Sequence, residues 1–261
     1  MHRGTAVAAS LLPVDKTLGI LVMALLLTAI IVSARYHLGP RTGPPRWRQI
    51  ALAGLRAAVQ LSAVSLVISY VVTSVWALAL FLLVMFATAV RTAGRRLTSN
   101  HSWWLTAVPI AAGTGPVVAA LLLTGLVPLM GIALIPVTGI LLGGALTATV
   151  LAGRRSLDEL AERRGEVEAA LALGFVSREA RMRVARPAAS DAQLPGLDQT
   201  RTVGLVTLPG AFVGMLLGGA TPIMAGAVQL FVLIALMAVQ TVAVSLTVEL
   251  VARGRLCRPP E

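Results

Sequence analysis

Residues 223–251 read IMAGAVQLFVLIALMAVQTVAVSLTVELV and contain one charged residue, Glu249, close to the end of the stretch. A helix needs about 20 mostly apolar residues to cross a bilayer, so this stretch predicts a membrane span. The rest of the 261-residue chain has the same character, with 57% hydrophobic and 13% charged residues. A soluble domain has about 25% charged residues. The composition therefore predicts an all-α integral membrane protein, with residues 1–261 forming a single membrane-spanning domain.

Six further apolar stretches bring the predicted spans to seven. The seven predicted spans are 17–34, 52–72, 75–90, 104–124, 129–151, 203–220 and 223–251. Three of the connections are short and uncharged, which is typical of tight hairpins between antiparallel helices. A cleaved signal peptide is the alternative for the first stretch, because Val32-Ser33-Ala34 has the small residues of a cleavage site.

The charges of the other connections predict the orientation. Residues 35–48 carry four arginines, residues 91–101 carry three, and neither connection contains an acidic residue. The positive-inside rule then places these connections and the C-terminus in the cytoplasm and the N-terminus outside. The chain uses 21 arginines and one lysine, a bias typical of GC-rich bacterial genomes, which predicts a multi-pass protein of the bacterial inner membrane.

The one sizeable polar segment, residues 152–202, holds eight of the eleven acidic and nine of the 22 basic residues. A capping-box pattern, Ser156 with Glu159, predicts a helix start. Gly174 is suited to a left-handed helix end. Ser177 can cap a second helix, which we expect to stop before Pro187. Two solvated surface helices in a cytoplasmic loop are the simplest interpretation of this segment.

The residues inside this segment favour a more specific interpretation. Glu168-Ala169-Ala170 is followed by Gly174, Val184 and Pro187 at a spacing that resembles the EAA motif of ABC-transporter permeases. Arg186 stands where that motif has Leu. The resemblance implies a coupling helix-turn-helix that docks in a groove of a separate ATPase subunit. ATP and Mg²⁺ would then be bound by that partner, with no cofactor on this chain.

Several blocks of sequence resemble the UPF0014 family, which includes FetB-type iron-export permeases and the plant aluminium-sensitivity (ALS3/STAR2-like) proteins. The blocks are PGLDQTRTVGLVTLPG at 195–210, GMLLGGATP at 214–222, GLRAAVQL at 54–61 and PVTG at 136–139. The resemblance implies the permease subunit of an ABC transporter that exports a metal ion such as iron, or another small solute. It also implies a homodimer with two ATPase partners.

Polar residues in or beside the predicted spans are the candidates for the translocation pathway or its gating. They are Arg56, Gln60, Asp198, Arg201, Thr202, Pro209 and Gln229. Arg56 and Gln60 are one helical turn apart and share a face. A charge inside a span snorkels to lipid headgroups, pairs within the bundle, or serves transport, and all three roles stay open for Arg56. Pro209 can kink its helix and free a carbonyl.

Gly210, Gly214 and Gly218 form a row with four-residue spacing on the predicted sixth span. Such a row lets two helices approach closely in lipid. The partner helix can belong to the same subunit or to a second copy, and the sequence leaves both interpretations open.

The sequence lacks the motifs of several other protein classes. Its one Lys-Thr pair, Lys16-Thr17, lacks the glycines of a P-loop, so the chain is predicted not to be an enzyme. The three histidines pair with no Cys or carboxylate at ligand spacing, and no metal ligand is assigned. The basic residues lie between apolar runs, which predicts contact with membrane lipid and no nucleic-acid binding. An ion-gradient-driven secondary transporter and a non-transporting membrane scaffold are the alternative functions.

Overall fold

A computed structural model describes residues 15–37, 39, 44–125 and 131–258. This part of the chain contains ten α-helices and two short 3-10 helices, His101–Thr106 and Asp191–Gln193. The α-helices are α1 Lys16–Arg35, α2 Arg46–Thr73, α3 Val75–Leu97, α4 Ala107–Leu123, α5 Gly131–Glu162, α6 Arg164–Ala172, α7 Ser177–Ser190, α8 Leu194–Thr202, α9 Gly210–Leu217 and α10 Pro222–Ala252.

Six helical stretches in the described ranges are long and apolar enough to cross a membrane. They are Lys16–Arg35, Arg46–Thr73, Val75–Leu97, His101–Leu123, Ala133–Glu162 and Pro222–Ala252. The chain is therefore an all-α integral membrane protein, as its composition predicts. Its orientation in the membrane stays a prediction.

The chain divides into two compact units, residues 1–70 and 71–261, with the boundary inside α2. In the first unit α1 lies against α2, where a Cβ atom added at Gly54 would be 2.9 Å from the Leu26 side chain. The prediction of a single permease domain is not decided by this division and stays a prediction.

The core of the second unit forms where α10 packs against α4 and α5. Leu141, Ala145 and Val239 are completely buried there. Glycines allow the close approach: Gly144 of α5 lies against Leu236 of α10, and Gly113 of α4 lies against the Val239 backbone. Helices in lipid gain little from hydrophobic burial against one another, so close contact of small residues does much of this packing.

Two glycines of α4 give a matched test of that packing. A Cβ at Gly113 would be 2.9 Å from the Val239 carbonyl oxygen, whereas a Cβ at Gly115 would meet nothing within 4 Å. We expect Gly113→Ala to lower the free energy of unfolding by about 1–2 kcal/mol relative to Gly115→Ala, because the backbone of α10 must shift. Thermal unfolding of the two variants in one detergent measures the difference. Equal melting temperatures would contradict this contact.

The capping-box prediction is wrong. Helix α5 runs without a break through Ser156 to Glu162, and Ser156 is fully buried. A cap starts a helix only where the preceding chain is not helical, and here the span is already propagating into the polar segment. The break comes later, at Arg163 (φ −106°, ψ 37°). The Arg163 guanidinium pairs with the Glu159 carboxylate at 2.7 Å, as the i,i+4 spacing predicts.

The glycine turn is confirmed. Gly174, the second residue after α6, has φ +89°, and its N–H donates to the Leu171 carbonyl at 2.9 Å. Ser177 is the first residue of α7 and makes no side-chain cap. The positive φ of Gly174 and its backbone hydrogen bond together make the segment between α6 and α7 a sharp turn.

The predicted stop before Pro187 is wrong, because α7 continues to Ser190. Pro187 is exposed, and the opposite face of α7 buries Met182, Ala185 and Ala189 in the core. That burial offsets the one backbone hydrogen bond that a proline removes. The Ser190 hydroxyl donates to the Pro187 carbonyl at 2.6 Å.

The predicted sixth span, 203–220, is not a continuous helix. Residues 203–207 form a tight turn in which the Gly204 N–H donates to the Thr207 carbonyl at 2.9 Å. Helix α9 then covers only eight residues, Gly210–Leu217. Pro209 lacks an N–H, and Gly219 adopts φ +88°, so the sequence interrupts the helix at both ends.

Candidate coupling surface and membrane cavity

Helix α6 and the turn after it form an exposed surface, which we call the coupling surface: Glu168, Ala169, Leu171, Leu173 and Val176. Helix α6 has no buried residue. Leu173 is 79% exposed and Val176 is 60% exposed. Exposed apolar side chains grouped beside a charged residue are typical of a protein–protein contact.

The coupling surface is held by α7, whose inner face is buried. Val184, at the motif position that resembles the usual Ile, is buried, and Arg186, at the expected Leu position, is exposed. The departure at Arg186 is therefore tolerated because that side chain faces away from the core. The Arg183 guanidinium lies 4.1 Å from the centre of the Phe175 ring, which ties the turn to α7.

An ion pair links α7 to α10. The Arg178 guanidinium donates two hydrogen bonds to the Glu249 carboxylate, at 2.7 and 2.6 Å. The same carboxylate accepts a hydrogen bond from Arg253. The hydrogen bond to Glu249 raises the pKa of Arg178 above its usual value. The ion pair joins the base of the coupling surface to the last span.

The five predicted coupling residues are divided between two neighbouring places. Glu168, Ala169 and Ala170 lie on α6, and Gly174 is the second residue after its end. Pro187 lies on α7, in a groove that it shares with Phe175 and Arg183. Their contact with an ATPase stays a prediction.

A cavity of about 250 Å³ lies between α9 and α10, and we call it the α9 cavity. It brings together Pro209 and Gln229, two of the predicted pathway residues, with Gly210 of the glycine row. Its remaining lining residues are Ile140, Gln199, Ala211, Val232, Leu233 and Leu236. The wall is mostly apolar, and its two polar side chains are Gln199 and Gln229.

Gln229 is the most buried polar residue of this wall, with 5% of its surface exposed. Its Oε1 atom has no hydrogen-bond partner among the residues that the structure describes. That oxygen has almost no accessible surface, so it is enclosed by protein and does not face the cavity. Helix α9 begins at the same cavity, and no side chain caps its first turn.

The other predicted pathway residues lie elsewhere. Asp198 and Arg201 form an exposed pair on α8 at 3.6 Å, and the Thr202 hydroxyl donates to the Asp198 carbonyl. Arg56 and Gln60 lie on α2, one turn apart and exposed. Asp198, Arg201 and Thr202 do not line the α9 cavity. A role in transport for these three residues and for the two on α2 stays a prediction.

The glycine row is open. A Cβ at Gly210 or Gly214 would meet nothing within 4 Å among the described residues, and Gly218 touches only the backbone of its own turn. Packing of the row within one subunit, contact with a second copy and a role in gating all stay predictions.

Sequence reasoning missed two members of these sites. Gln199 lines the cavity from α8, and Arg178 pairs with Glu249 across 71 positions. For Gln199 the signal was its place in the 195–210 block. No local sequence pattern indicates the pairing of Arg178 with Glu249. The spacing of charged residues near Glu249 predicts only its i,i+4 pair with Arg253. The described residues contain no group of three or more His, Cys, Asp or Glu that could hold a metal ion.

Residues 18–255 match the family described as "Uncharacterised protein family (UPF0014)". The chain belongs to this family. The rice protein (Oryza sativa subsp. japonica) "UPF0014 membrane protein STAR2" is 35% identical over 198 residues, which cover 74% of this chain and 69% of that protein.

Two further relatives come from a plant and a bacterium. "Protein ALUMINUM SENSITIVE 3" of Arabidopsis thaliana is 33% identical over 182 residues, covering 68% of this chain and 66% of that protein. "Probable iron export permease protein FetB" of Escherichia coli is 26% identical over 215 residues, covering 81% of each chain. No solved structure matches the chain.

Proposed function

We propose that this chain is the permease subunit of an ABC transporter that exports a metal ion such as iron, or another small solute, and that a separate ATPase drives it. The observation that carries the proposal is the coupling surface, where Glu168 lies on the unburied helix α6 and the turn after it exposes Leu173 and Val176. An isolated membrane protein gains nothing from exposing these side chains to water. A docked ATPase would bury them.

The contacts of α7 supply a route from the ATPase to the membrane. Helix α7 packs on both α5 and α10, and Arg178 adds a charged link to Glu249. A movement of α6 would therefore be passed to α10, which lines the α9 cavity with Gln229 and Val232. Two copies would pair in the bacterial inner membrane, each with one ATPase that binds ATP and Mg²⁺.

The resemblance to a protein named as an iron-export permease supports iron as the first solute to test. The translocation residues are proposed to include Arg56, Gln60, Asp198, Arg201, Thr202, Pro209 and Gln229. A gradient-driven secondary transporter would need a buried acidic residue near the middle of a span. Glu249, the one acidic residue of α10, lies near its end and is already paired with two arginines.

Reversing the charge of Glu168 tests the docking surface. Because Glu168 is exposed, Glu168→Arg should leave insertion unchanged and weaken ATPase co-purification about fivefold, as expected for a charge at the rim of an interface. The measurement is a pull-down of the tagged protein from its native membrane.

Glu162→Arg is the matched control, since Glu162 is another exposed acidic residue that lies at the end of α5. It should recover the ATPase at the unaltered level. Equal recovery by both variants would contradict docking at Glu168, and recovery of no ATPase with the unaltered protein would contradict the proposed function.

A further inference from the structure

A basic pocket of about 500 Å³ lies where the ends of α5 and α10 meet α6 and α7, and we call it the arginine pocket. Its charged lining residues are Arg164, Arg181 and Arg258. None of the residues that line it in the described ranges is acidic. The pocket therefore concentrates positive charge at one place on the surface of the second unit.

Two of the three arginines have no partner. Arg258 pairs with Asp158 at 2.6 Å, whereas Arg164 and Arg181 have no ion-pair or hydrogen-bond partner among the described residues. Arg181 is half-buried. A Cβ atom added at Gly254 would be 2.5 Å from the Arg181 Nη1 atom, so this guanidinium lies just past the end of α10. Positive charges that share one pocket repel each other, and a bound anion would neutralise them.

Unpaired guanidinium groups suit a phosphate group. A planar guanidinium donates two parallel hydrogen bonds to phosphate oxygen atoms, and such charge-assisted hydrogen bonds are about twice as strong as neutral ones. The same pocket has an apolar floor formed by Leu157, Leu160, Val251 and Leu256. This floor would contact carbon atoms attached to the phosphate. The lining thus favours an anion that carries a carbon chain, and its arginines would repel a cation.

The arginine pocket lies at the level of lipid headgroups. Helix α10 has 31 residues, which is about 46 Å at about 1.5 Å per residue. The hydrocarbon core of a bilayer is about 30 Å thick, so the ends of α10 reach the headgroup region. The pocket lies at the C-terminal end of α10, which the positive-inside rule predicts to be cytoplasmic. Basic pockets between spans on this side are typical sites for anionic lipid headgroups.

From these observations we infer that the arginine pocket binds an anionic phosphate group, held by Arg164 and Arg181, and we expect the headgroup of an anionic phospholipid to supply it. Arg164 is the first residue of α6 and Arg181 lies on α7, so the phosphate links both helices to the end of α10. The pocket can fill whether or not an ATPase is docked. Its test therefore uses the full-length chain alone and is independent of the proposed function.

Cys257 reports occupancy, because it lines the pocket and is the one cysteine of the chain. The protein is placed in nanodiscs of phosphatidylglycerol or of phosphatidylcholine, and Cys257 is labelled with an uncharged, water-soluble maleimide. A hydrogen bond to a charged group contributes about tenfold or more in affinity, so we expect phosphatidylglycerol to slow labelling about tenfold relative to phosphatidylcholine.

Inorganic phosphate distinguishes the two sources of a phosphate group. It is added to the phosphatidylcholine nanodiscs, where we expect it to leave the labelling rate unchanged, because a free ion gains nothing from the apolar floor. Slower labelling there would support the phosphate site and assign it to a soluble anion instead of a lipid.

Variants assign the protection to the pocket. Arg164→Gln and Arg181→Gln should each remove most of the protection by phosphatidylglycerol. Arg255→Gln is the matched control, because Arg255 is an exposed arginine of the same tail that does not line the pocket; it should keep the protection. Equal labelling rates of the three variants in phosphatidylcholine, and their thermal unfolding, show that Cys257 and the fold are unaffected.

Three results would overturn the inference. They are equal labelling in both lipids with and without inorganic phosphate, protection that survives both Arg164→Gln and Arg181→Gln, and protection that Arg255→Gln removes to the same extent. The last would mean that the surface charge of the lipid slows labelling without any binding in the pocket.

Discussion

Replacing Leu173 by aspartate is expected to abolish recovery of the ATPase while the protein still inserts and folds. Leu173 is 79% exposed at the end of α6, so the free chain loses no packing when the side chain becomes polar. In the complex the carboxylate would be buried in an apolar contact. A central interface side chain of this kind contributes about 2 kcal/mol or more, which corresponds to at least about 30-fold weaker binding.

The pull-down described for Glu168 also measures this effect, at several salt concentrations. Leu173→Met is the control, because it keeps an apolar side chain of similar volume and should retain the ATPase. Undiminished recovery with Leu173→Asp would show that the exposed apolar side chains of α6 have another purpose.

Replacing Glu249 by glutamine is expected to separate ATP hydrolysis from movement in the membrane. The substitution keeps the shape of the side chain and removes the charge that two hydrogen bonds from Arg178 neutralise. Helix α7 would still hold the ATPase, but its charged link to α10 would be lost. A coupling free energy of about 1.4 kcal/mol corresponds to a tenfold effect.

A cysteine placed at Ala211 in the α9 cavity reports this movement without knowledge of the solute. The native Cys257 is exposed and must first be replaced by serine. We expect ATP to change the labelling rate of the introduced cysteine by a water-soluble maleimide, and Glu249→Gln to reduce that change about tenfold while hydrolysis continues.

Asp158→Asn is the matched control for this experiment. It removes another arginine–carboxylate pair, Arg258 with Asp158 at 2.6 Å, which joins α5 to the C-terminal tail rather than α7 to α10. The ATP-dependent change should persist in it. If Glu249→Gln kept the full ATP-dependent change in labelling rate, the ion pair would not be needed, and side-chain packing would be the only link between α7 and α10.

Both expectations depend on a contact that the sequence predicts only in part. Leu173 follows from the EAA-like motif, because a short helix between Arg163 and Gly174 must present some side chains outward. The pairing of Arg178 with Glu249 depends on how α7 folds back along α10, and their separation in sequence hides it. Local spacing predicts only the Glu249–Arg253 pair, which the structure also contains.

The sequence by itself determined the membrane character of the chain and its six long spans. It also determined the glycine turn after α6. Apolar length decides the spans, and only glycine adopts the positive φ of Gly174 readily. These are local properties that act whatever the rest of the chain does.

Only the tertiary structure decided where the helices end and which polar groups meet. Ser156 fails as a cap because α5 is already helical when it reaches that residue, and Pro187 stays inside α7 because the opposite face is buried. Gln229 meets the start of α9 because the predicted sixth span is broken at Pro209. Each outcome depends on contacts between segments distant in sequence, whose energies outweigh the local preferences that a pattern records.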